Sequence, residues 1–409
     1  MPLILLIGSA RAQPLPAGEV LPEAIDIQVS EAGLGALADA LPALLPAEPL
    51  VLDDLEDETG LGCLGYRYAL QNMFAELEIL SAGLVAEPGE LVLDIDLRMS
   101  VNDPVDPFQM ELEAICLIDE ACDGYILPFD MSVSVPLSLS VVGDPGSRFL
   151  EADVGTPVIS HELSSQELQV GCGINEIELV LNIFGTSFFD LVIGLFESTL
   201  VDLIDGPLNE GLAALSLQET VELGDASLEL RLAPEGVEIS DAGLELVLAS
   251  QFLGDAHPCV GPYDAGSIPL SGGARPSSAD NPPGTHLAAH VAQDMVDQVL
   301  YAAWRAGLLC QEISDDAGID LAGLALDTSL LGLLAGERYR ELFPEAAPLL
   351  IRTTPRQPPR AVVGGGHDLE VALDDLGVDF FAELDGRMAR VLGVGLEGPI
   401  GLDVPFDPA

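Results

Sequence analysis

Apolar positions recur along this chain with two different periods. Over residues 187–205, SFFDLVIGLFESTLVDLID, the side chains of Phe188, Val192, Leu195, Phe196, Thr199 and Leu203 follow at helical spacing, with Asp190, Glu197 and Asp205 opposite them. Ser187, with Asp190 three residues on, makes a capping-box-like start. Gly206-Pro207 is expected to kink or end the segment, and LNEGLAAL continues it to Leu215. At about 1.5 Å per residue the first segment spans roughly 28 Å. It reads as a core helix, or as a helix lying along a sheet and walling an apolar cavity. A membrane-spanning helix is disfavoured, because Asp190, Glu197 and Asp202 would each be costly in hydrocarbon.

Elsewhere the period is two. Residues 24–29, AIDIQV, alternate like a half-buried strand and lead into a helix that places Leu34, Leu37, Leu41, Leu44 and Leu45 mainly on one side, until Pro42 and Pro46 bend or stop it. LDDLEDETG reads as an acidic loop; its carboxylates could hold calcium, but the EF-hand order of ligands and glycine is absent. From Cys63 to Val142, YRYALQNMFAELEIL, ELVLDIDLRMSV, FQMELEAICLI and FDMSVSVPLSLSVV alternate over lengths beyond the usual strand. They predict a strongly curved antiparallel sheet with one buried face, with Pro136 at an edge or a bulge. FLEADVGTPVISHELSSQELQV and INEIELVLNIF continue the strands.

A second unit repeats this order without repeating the literal sequence. ASLELRLAPEGVEISDAGLELVLASQFLG is again long alternating strand, and residues 257–285 form a Pro/Gly/Ser-rich surface loop. HLAAHVAQDMVDQVLYAAWRAGLL, residues 286–309, predicts a second long helix carrying Val291, Met295, Val299, Ala302 and Ala306 in one stripe. Short helical material runs to Leu350, TTPRQPPR is a loop, and the stretch from Asp368 onward is strand-rich. The fold class is therefore α+β.

Charge narrows the partners. The chain has 409 residues and a formal net charge of −54, and all 14 of its basic residues are Arg. Only Arg67, Arg98 and Arg148 lie between residues 13 and 222, so a phosphate backbone would be repelled and nucleic acid is excluded as a partner. Charge-driven attraction to an anionic membrane is excluded on the same ground. The acidity serves solubility, above all where salt screens self-repulsion. At the start, MPLILLIGSARAQP has a short apolar core and a small-residue cleavage signal at Ala10-Arg11-Ala12, so residues 1–12 read as a secretory signal remnant, or else as a buried first strand. No other segment has the uncharged length to span a bilayer. Six cysteines, Cys63, Cys116, Cys122, Cys172, Cys259 and Cys310, allow three disulfides in an exported chain. Cys116 with Cys122, and Cys259 with Cys310, are plausible pairs. No CxxC occurs, which disfavours zinc ribbons and thioredoxin-like chemistry.

Taken in order, these segments resemble the bactericidal/permeability-increasing protein and lipopolysaccharide-binding protein family, within the TULIP group of tubular lipid-binding proteins. AIDIQVSEAGLGALADALPALL resembles the family's opening strand and amphipathic helix. INEIELVLNIFGTSFFDLVIGLFESTLVDLIDGPLNEGLAAL resembles the last strand and long helix of the first barrel. LELRLAPEGVEISDAGLELVLASQFLG with its Pro-rich loop resembles the connection to the second barrel, and VAQDMVDQVLYAAWRAGLL that barrel's first helix. The resemblance implies a boomerang of two elongated barrels, each of highly twisted antiparallel sheet wrapped around a long helix, joined by a central sheet and each enclosing an apolar pocket. On this reading residues 13–222 form the N-terminal lipid-binding barrel and 223–409 the central-sheet connection and C-terminal barrel. The family's disulfide joins a cysteine before the long helix to one within it. Cys172 holds roughly the first place but no cysteine follows as far as Leu215, so that bridge is absent or rerouted. The basic tip that binds lipopolysaccharide has no counterpart. The sequence also ends at DVPFDPA, before the family's long C-terminal helix, so the second barrel is expected to be incomplete or atypical.

The implied function is a secreted, non-catalytic binder or carrier of phospholipid or another acyl lipid, without cofactor. Leu34, Leu37, Leu41, Leu44, Phe188, Val192, Leu195, Phe196, Leu203, Val291, Met295 and Val299 would line the pockets. The alternative is a structural or adhesive surface protein whose barrels are filled by their own side chains. His286, His290 and Asp294 fall at helical spacing suited to a metal, but no HExxH is present and a solvated helix start fits equally. GGGH at 364–367 is no phosphate loop, and no GxSxG marks a hydrolase. Arg338, Arg340, Arg352, Arg356 and Arg360 form the only basic concentration, suited to a headgroup phosphate or to balancing the acidic surface.

Overall fold

A computed structural model describes residues 14–40, 49–59, 66–114, 118–144, 147–171, 188–223, 226–268, 270, 281, 284–314, 326–343, 345–362, 369–384 and 386–402. The chain opens with β1 (Leu15–Pro16), β2 (Leu21–Ser30) and helix α1 (Glu31–Ala40). Seven strands follow: β3 (Leu50–Leu52), β4 (Leu55–Thr59), β5 (Tyr66–Gln71), β6 (Met73–Glu87), β7 (Glu90–Val101), β8 (Phe108–Ala114) and β9 (Ile118–Val142). Then come β10 (Phe149–Val154), β11 (Val158–His161), β12 (Leu168–Val170) and helix α2 (Phe188–Ala213). The middle of the chain gives β13 (Leu217–Leu223), β14 (Ala226–Ser240), β15 (Gly243–Leu253), β16 (Ser267–Ile268), β17 (Leu287–Val291) and α3 (Gln293–Arg305). The last third gives β18 (Glu312–Ile313), α4 (Thr328–Ala335), α5 (Glu337–Leu342), β19 (Leu349–Pro355), β20 (Arg360–Val362), β21 (Leu369–Leu384) and β22 (Arg387–Leu402).

The strands form three main antiparallel sheets. The ten-stranded N-terminal sheet runs β3-β6-β7-β9-β8-β5-β4, with β10, β11 and β12 also on β9. Its spine is β9, whose 25 residues give a length of about 80 Å. The five-stranded central sheet, β13-β14-β15-β2-β17, joins the opening strand to residues more than two hundred positions away. A five-stranded C-terminal sheet, built from β18 to β22, closes the order.

Alternation explains the N-terminal core. Along β7, Leu91, Leu93, Ile95, Leu97, Met99 and Val101 point inward and are buried, as are Phe129, Met131, Val133, Val135 and Leu137 of β9. Asp94, Asp96 and Arg98 point outward, where the Arg98 Nε donates to Asp130 at 2.7 Å and Asp96 accepts from Ser81 and Ser132. The two serine hydroxyls hold the Asp96 carboxyl below the usual range. Pro136 lies neither at an edge nor in a bulge of its own strand. It sits at the break between β10, which ends opposite Leu137, and β11, which starts opposite Ser134. There Gly155 approaches so closely that an added Cβ would lie 2.8 Å from the Pro136 ring.

Two expectations are corrected and one is narrowed. LDDLEDETG is not simply a loop: β4 pairs with β5, and Arg67 on β5 meets Glu56 at 2.6 Å. Of the two outcomes expected at Gly206-Pro207, an end is excluded: the long helix runs on to Ala213 with Pro207 inside it, because tertiary contacts override the local penalty. Helix α3 starts at Gln293, and residues 287–291 are strand β17, paired with β2. Val291 and His290 are therefore strand residues, which removes the helical spacing behind a His286, His290, Asp294 metal site. Signal residues 1–12, the stretch INEIELVLNIF and the GGGH segment lie outside the described residues.

Candidate functional site

The inward face of α2 is set by Val192, Ile193, Phe196 and Leu200, all buried in the N-terminal core. That face is rotated slightly from the expected one. Leu195 packs at its shoulder, Leu203 is half-buried, and the side chain of Phe188 lies outside the described set. Val192 and Phe196 have 0% exposure, so protein atoms surround them on every side. On α1, Leu34 is buried in the same core, while Leu37 is 55% exposed; Leu41 and Leu44 lie outside the described residues. In the second unit, Met295 and Val299 pack with Leu228, Phe252 and Ala302, and Val291 is exposed. The expected lining thus divides among two separate cores and the surface.

What the fold does bring together is a cleft of about 490 Å³ where β2 turns into α1, within the range usual for small-ligand pockets. Val29 and Ala32 line one side; Ala242 and Leu244, from the β14–β15 turn, line the other. Val29 and Leu244 are paired across the central sheet, and both pack against the N-terminal core. The floor of the cleft is therefore continuous with that core.

The corner is tightly built. Ser30 Oγ accepts from the Gly33 N–H at 3.2 Å, capping α1, and Ser30 N donates to His286 O at 3.0 Å. A Cβ on Gly33 would fall 2.1 Å from His286 O, and one on Gly243, at φ +128°, 2.0 Å from Val29 O. Glycine is required at both positions.

One wall of the cleft is polar but neutral. Buried Gln28 donates to Asp26 Oδ2 at 3.2 Å and accepts from Asn281 Nδ2 at 2.7 Å, and Asn281 Oδ1 meets His290 Nε2 at 3.0 Å. Glu31 and Glu245 stand at the rim. The two rim carboxylates disfavour an anionic group at the mouth. A second cleft, of about 410 Å³, lies beside Val51 and Phe74, and Glu76, Asp103 and Asp106 make it strongly acidic.

No protein-family model matches the chain, and no curated protein matches it. The chain is similar to the crystal structure of a lipopolysaccharide binding protein. The TM-score is 0.41 at 14% identity, over 93% of this chain and 79% of that one. A TM-score below 0.5 assigns neither family nor ligand, so the chain's own geometry has to carry the functional reading.

The cysteines and arginines also find their places. Cys259 and Cys310 form a disulfide with Cα atoms 6.3 Å apart. Cys122 is disulfide-bonded as well, while Cys63, Cys116 and Cys172 lie outside the described residues. His257 stands beside the Cys259–Cys310 bridge, where its Nδ1 accepts from the Cys259 N–H at 3.3 Å; oxidised sulfurs are not the thiolates a metal needs. Arg352 pairs with Glu312 and lies over the Phe381 ring, Arg356 pairs with Asp375, and Arg360 with Asp374. These arginines are spent on the acidic surface. The cleft residues Ala242 and Leu244 were missed in the sequence because nothing local ties them to Val29; the Asp-Ala-Gly turn preceding Leu244 was the one usable signal.

Proposed function

We propose that this protein is a secreted, non-catalytic binder of an acyl lipid, taking an apolar chain into the cleft between α1 and the β14–β15 turn. The observation that carries the reading is the floor formed by Val29 and Leu244, continuous with a core that buries no charged or amide side chain among the described residues. An alkyl chain lying on that floor gains about 0.8 kcal/mol for each CH₂ buried, with the Gln28 and Asn281 amides, already bonded to one another, on its other side. The neutral amide wall and acidic rim favour an uncharged or zwitterionic headgroup. The disulfides fit an oxidising compartment, and no described helix is long and apolar enough to cross a membrane.

The test is uptake of a fluorescent fatty-acyl probe, with native mass spectrometry of protein prepared without detergent. Ala242→Trp, which fills the cleft from a turn position, should abolish uptake while leaving the melting temperature near that of the parent. Unchanged uptake in Ala242→Trp would move the site elsewhere. No uptake by the parent and no bound lipid would favour a second reading, a structural or adhesive protein with filled barrels. The zero exposure of Val192 and Phe196 supports that alternative.

A further inference from the structure

The C-terminal sheet carries an apolar row that its own core does not cover. Phe380 and Ala382 of β21 are buried with Leu331 and Leu349, and Leu392 of β22 packs on this cluster. Phe380 is paired with Leu392, and Phe381 with Arg390, so Val391 is an extra residue and the faces of β22 switch there. Beyond it, Leu392, Val394, Leu396 and Ile400 continue the core-facing row. Yet Val394 is 38% exposed, Leu396 49% and Ile400 50%.

Among the described residues the same strand is an edge. On its other side β21 pairs with β19 and β20, whereas β22 pairs with β21 alone among the described residues. A long apolar edge strand is a template for pairing with another strand. Between residues 392 and 402 the only charge is Glu397, in a chain of net charge −54.

Charge placement selects the occupant. Arg390 is paired with Asp379 at 2.6 Å, and its side chain is 53% exposed. Its guanidinium lies over Gly393: a Cβ built there would be 2.1 Å from the Arg390 nitrogen. Glu397 is on the same face as Gly393. Suppose a second β22 runs antiparallel about a two-fold axis through Gly395. Val394 then falls opposite Leu396 of the second copy, and Glu397 opposite Gly393, over which the second copy's Arg390 lies. Directly opposed positions on one face are about 5 Å apart, so the carboxylate reaches the guanidinium twice, once on each side of the axis. Moving the axis to Glu397 pairs fewer residues of the strand and sets two carboxylates face to face.

We propose that two copies of this chain associate through β22, antiparallel about Gly395, joining their C-terminal sheets edge to edge. The high negative charge of both partners opposes approach, and added salt screens it over about 8 Å at physiological ionic strength. The dimer therefore strengthens with salt, the reverse of an association held by opposite net charges.

The experiment is sedimentation equilibrium of the full chain at low and high salt, with three variants. The parent should double its mass at high salt. Leu396→Lys should remain a monomer there with an unchanged melting temperature. Gly395→Cys should cross-link to its own copy under oxidation, whereas Val105→Cys, at a 90% exposed loop valine in the first sheet, should not. Glu397→Arg should weaken the dimer a few-fold without preventing folding. A parent that stays monomeric at every salt concentration overturns the proposal. So does a dimer that survives Leu396→Lys and gives no Gly395→Cys cross-link. A monomer that binds phosphatidylcholine vesicles, and loses that binding in Leu396→Lys, would assign the strand to a lipid surface instead.

Discussion

Among the described residues, the N-terminal sheet buries only apolar side chains, while the central sheet buries Asp26, Gln28 and Ser250 and the helix α3 buries Asp297 and Gln298. The two regions are held by different physics. In the first, Phe196, Met99 and Val135 interlock by shape, and any filler of the right volume would serve. In the second, Ser250 donates to Gln298, Gln298 donates to the Glu19 carbonyl, Asp297 accepts from Ala361 N at 2.7 Å, and Trp304 donates to the Pro355 carbonyl. Each of those bonds fixes a direction, and together they lock α3 between the opening strand and β20. An interior without directional bonds can admit a foreign alkyl chain; one built from them cannot without leaving a donor or acceptor unpaired. The candidate cleft lies on the boundary itself: Val29 and Leu244 belong to the apolar side, and Gln28, bonded to Asp26 and Asn281, to the directional one.

The comparison can be broken at three points. Phe196→Ala should cost about 3–5 kcal/mol in chemical denaturation, with Phe196→Leu far milder. A cost below about 1 kcal/mol would mean that space already surrounds α2 and that the interior is not close-packed. The double variant Cys259→Ser, Cys310→Ser opens a loop spanning 51 positions and should cost about 2–4 kcal/mol. Probe uptake at the cleft should survive, since the bridge lies beside Tyr301 and Trp304 rather than in the N-terminal core. Loss of uptake would show that the two regions are coupled.

The smallest effect is a pH dependence. Burial pushes the Asp297 carboxyl up, and nearby Asp294 adds to this, while the Ala361 N–H and Arg360 pull the other way. A carboxyl whose folded pKa is raised holds its proton longer in the native state. Its share of stability is therefore full below the unfolded value and declines as pH rises through the folded one. Asp297→Asn keeps an acceptor for Ala361 and should remove that decline. Melting curves between about pH 3 and pH 7 should converge with the parent in acid and run above it at neutrality. Curves that run parallel throughout would show that Asp297 is charged and adequately solvated.

The long strands were legible because alternation over ten or more residues has no other cheap explanation. The strands of β6, β7 and β9 and the strand-rich end of the chain follow from it directly, but not their neighbours: β5 lies on β8 and β7 on β9, so the sheet is not the simple meander that alternation suggests. The α2 face was harder to phase. Val192, Ile193, Phe196 and Leu200 make the buried set, but Leu195 and Leu203 are equally apolar, and a helix rich in leucine all round does not announce which third turns inward. Residues 287–291 looked helical because LAAHV has no strand signature of its own. Its strand is imposed by β2, which lies across from it in the central sheet. The cleft was illegible for the same reason. Its two walls meet only through the pairing of Leu244 with Val29, a contact spanning more than half the chain.

Strand β9 has a consequence for how this protein can change over time. It pairs with β7 and β8 as well as β10, β11 and β12, five partners along one continuous stretch. Side chains alternate faces with a period of two, so losing or gaining a single codon inside β9 turns every residue beyond that point inside out relative to several neighbours at once. Val133 and Val135 would face water, and Ser132 and Ser134 would enter the core. Length variation among descendants of this sequence is thereby steered away from residues 118–142 and into the turns. Within the spine, substitutions that preserve the alternation remain open, and changes of length are closed.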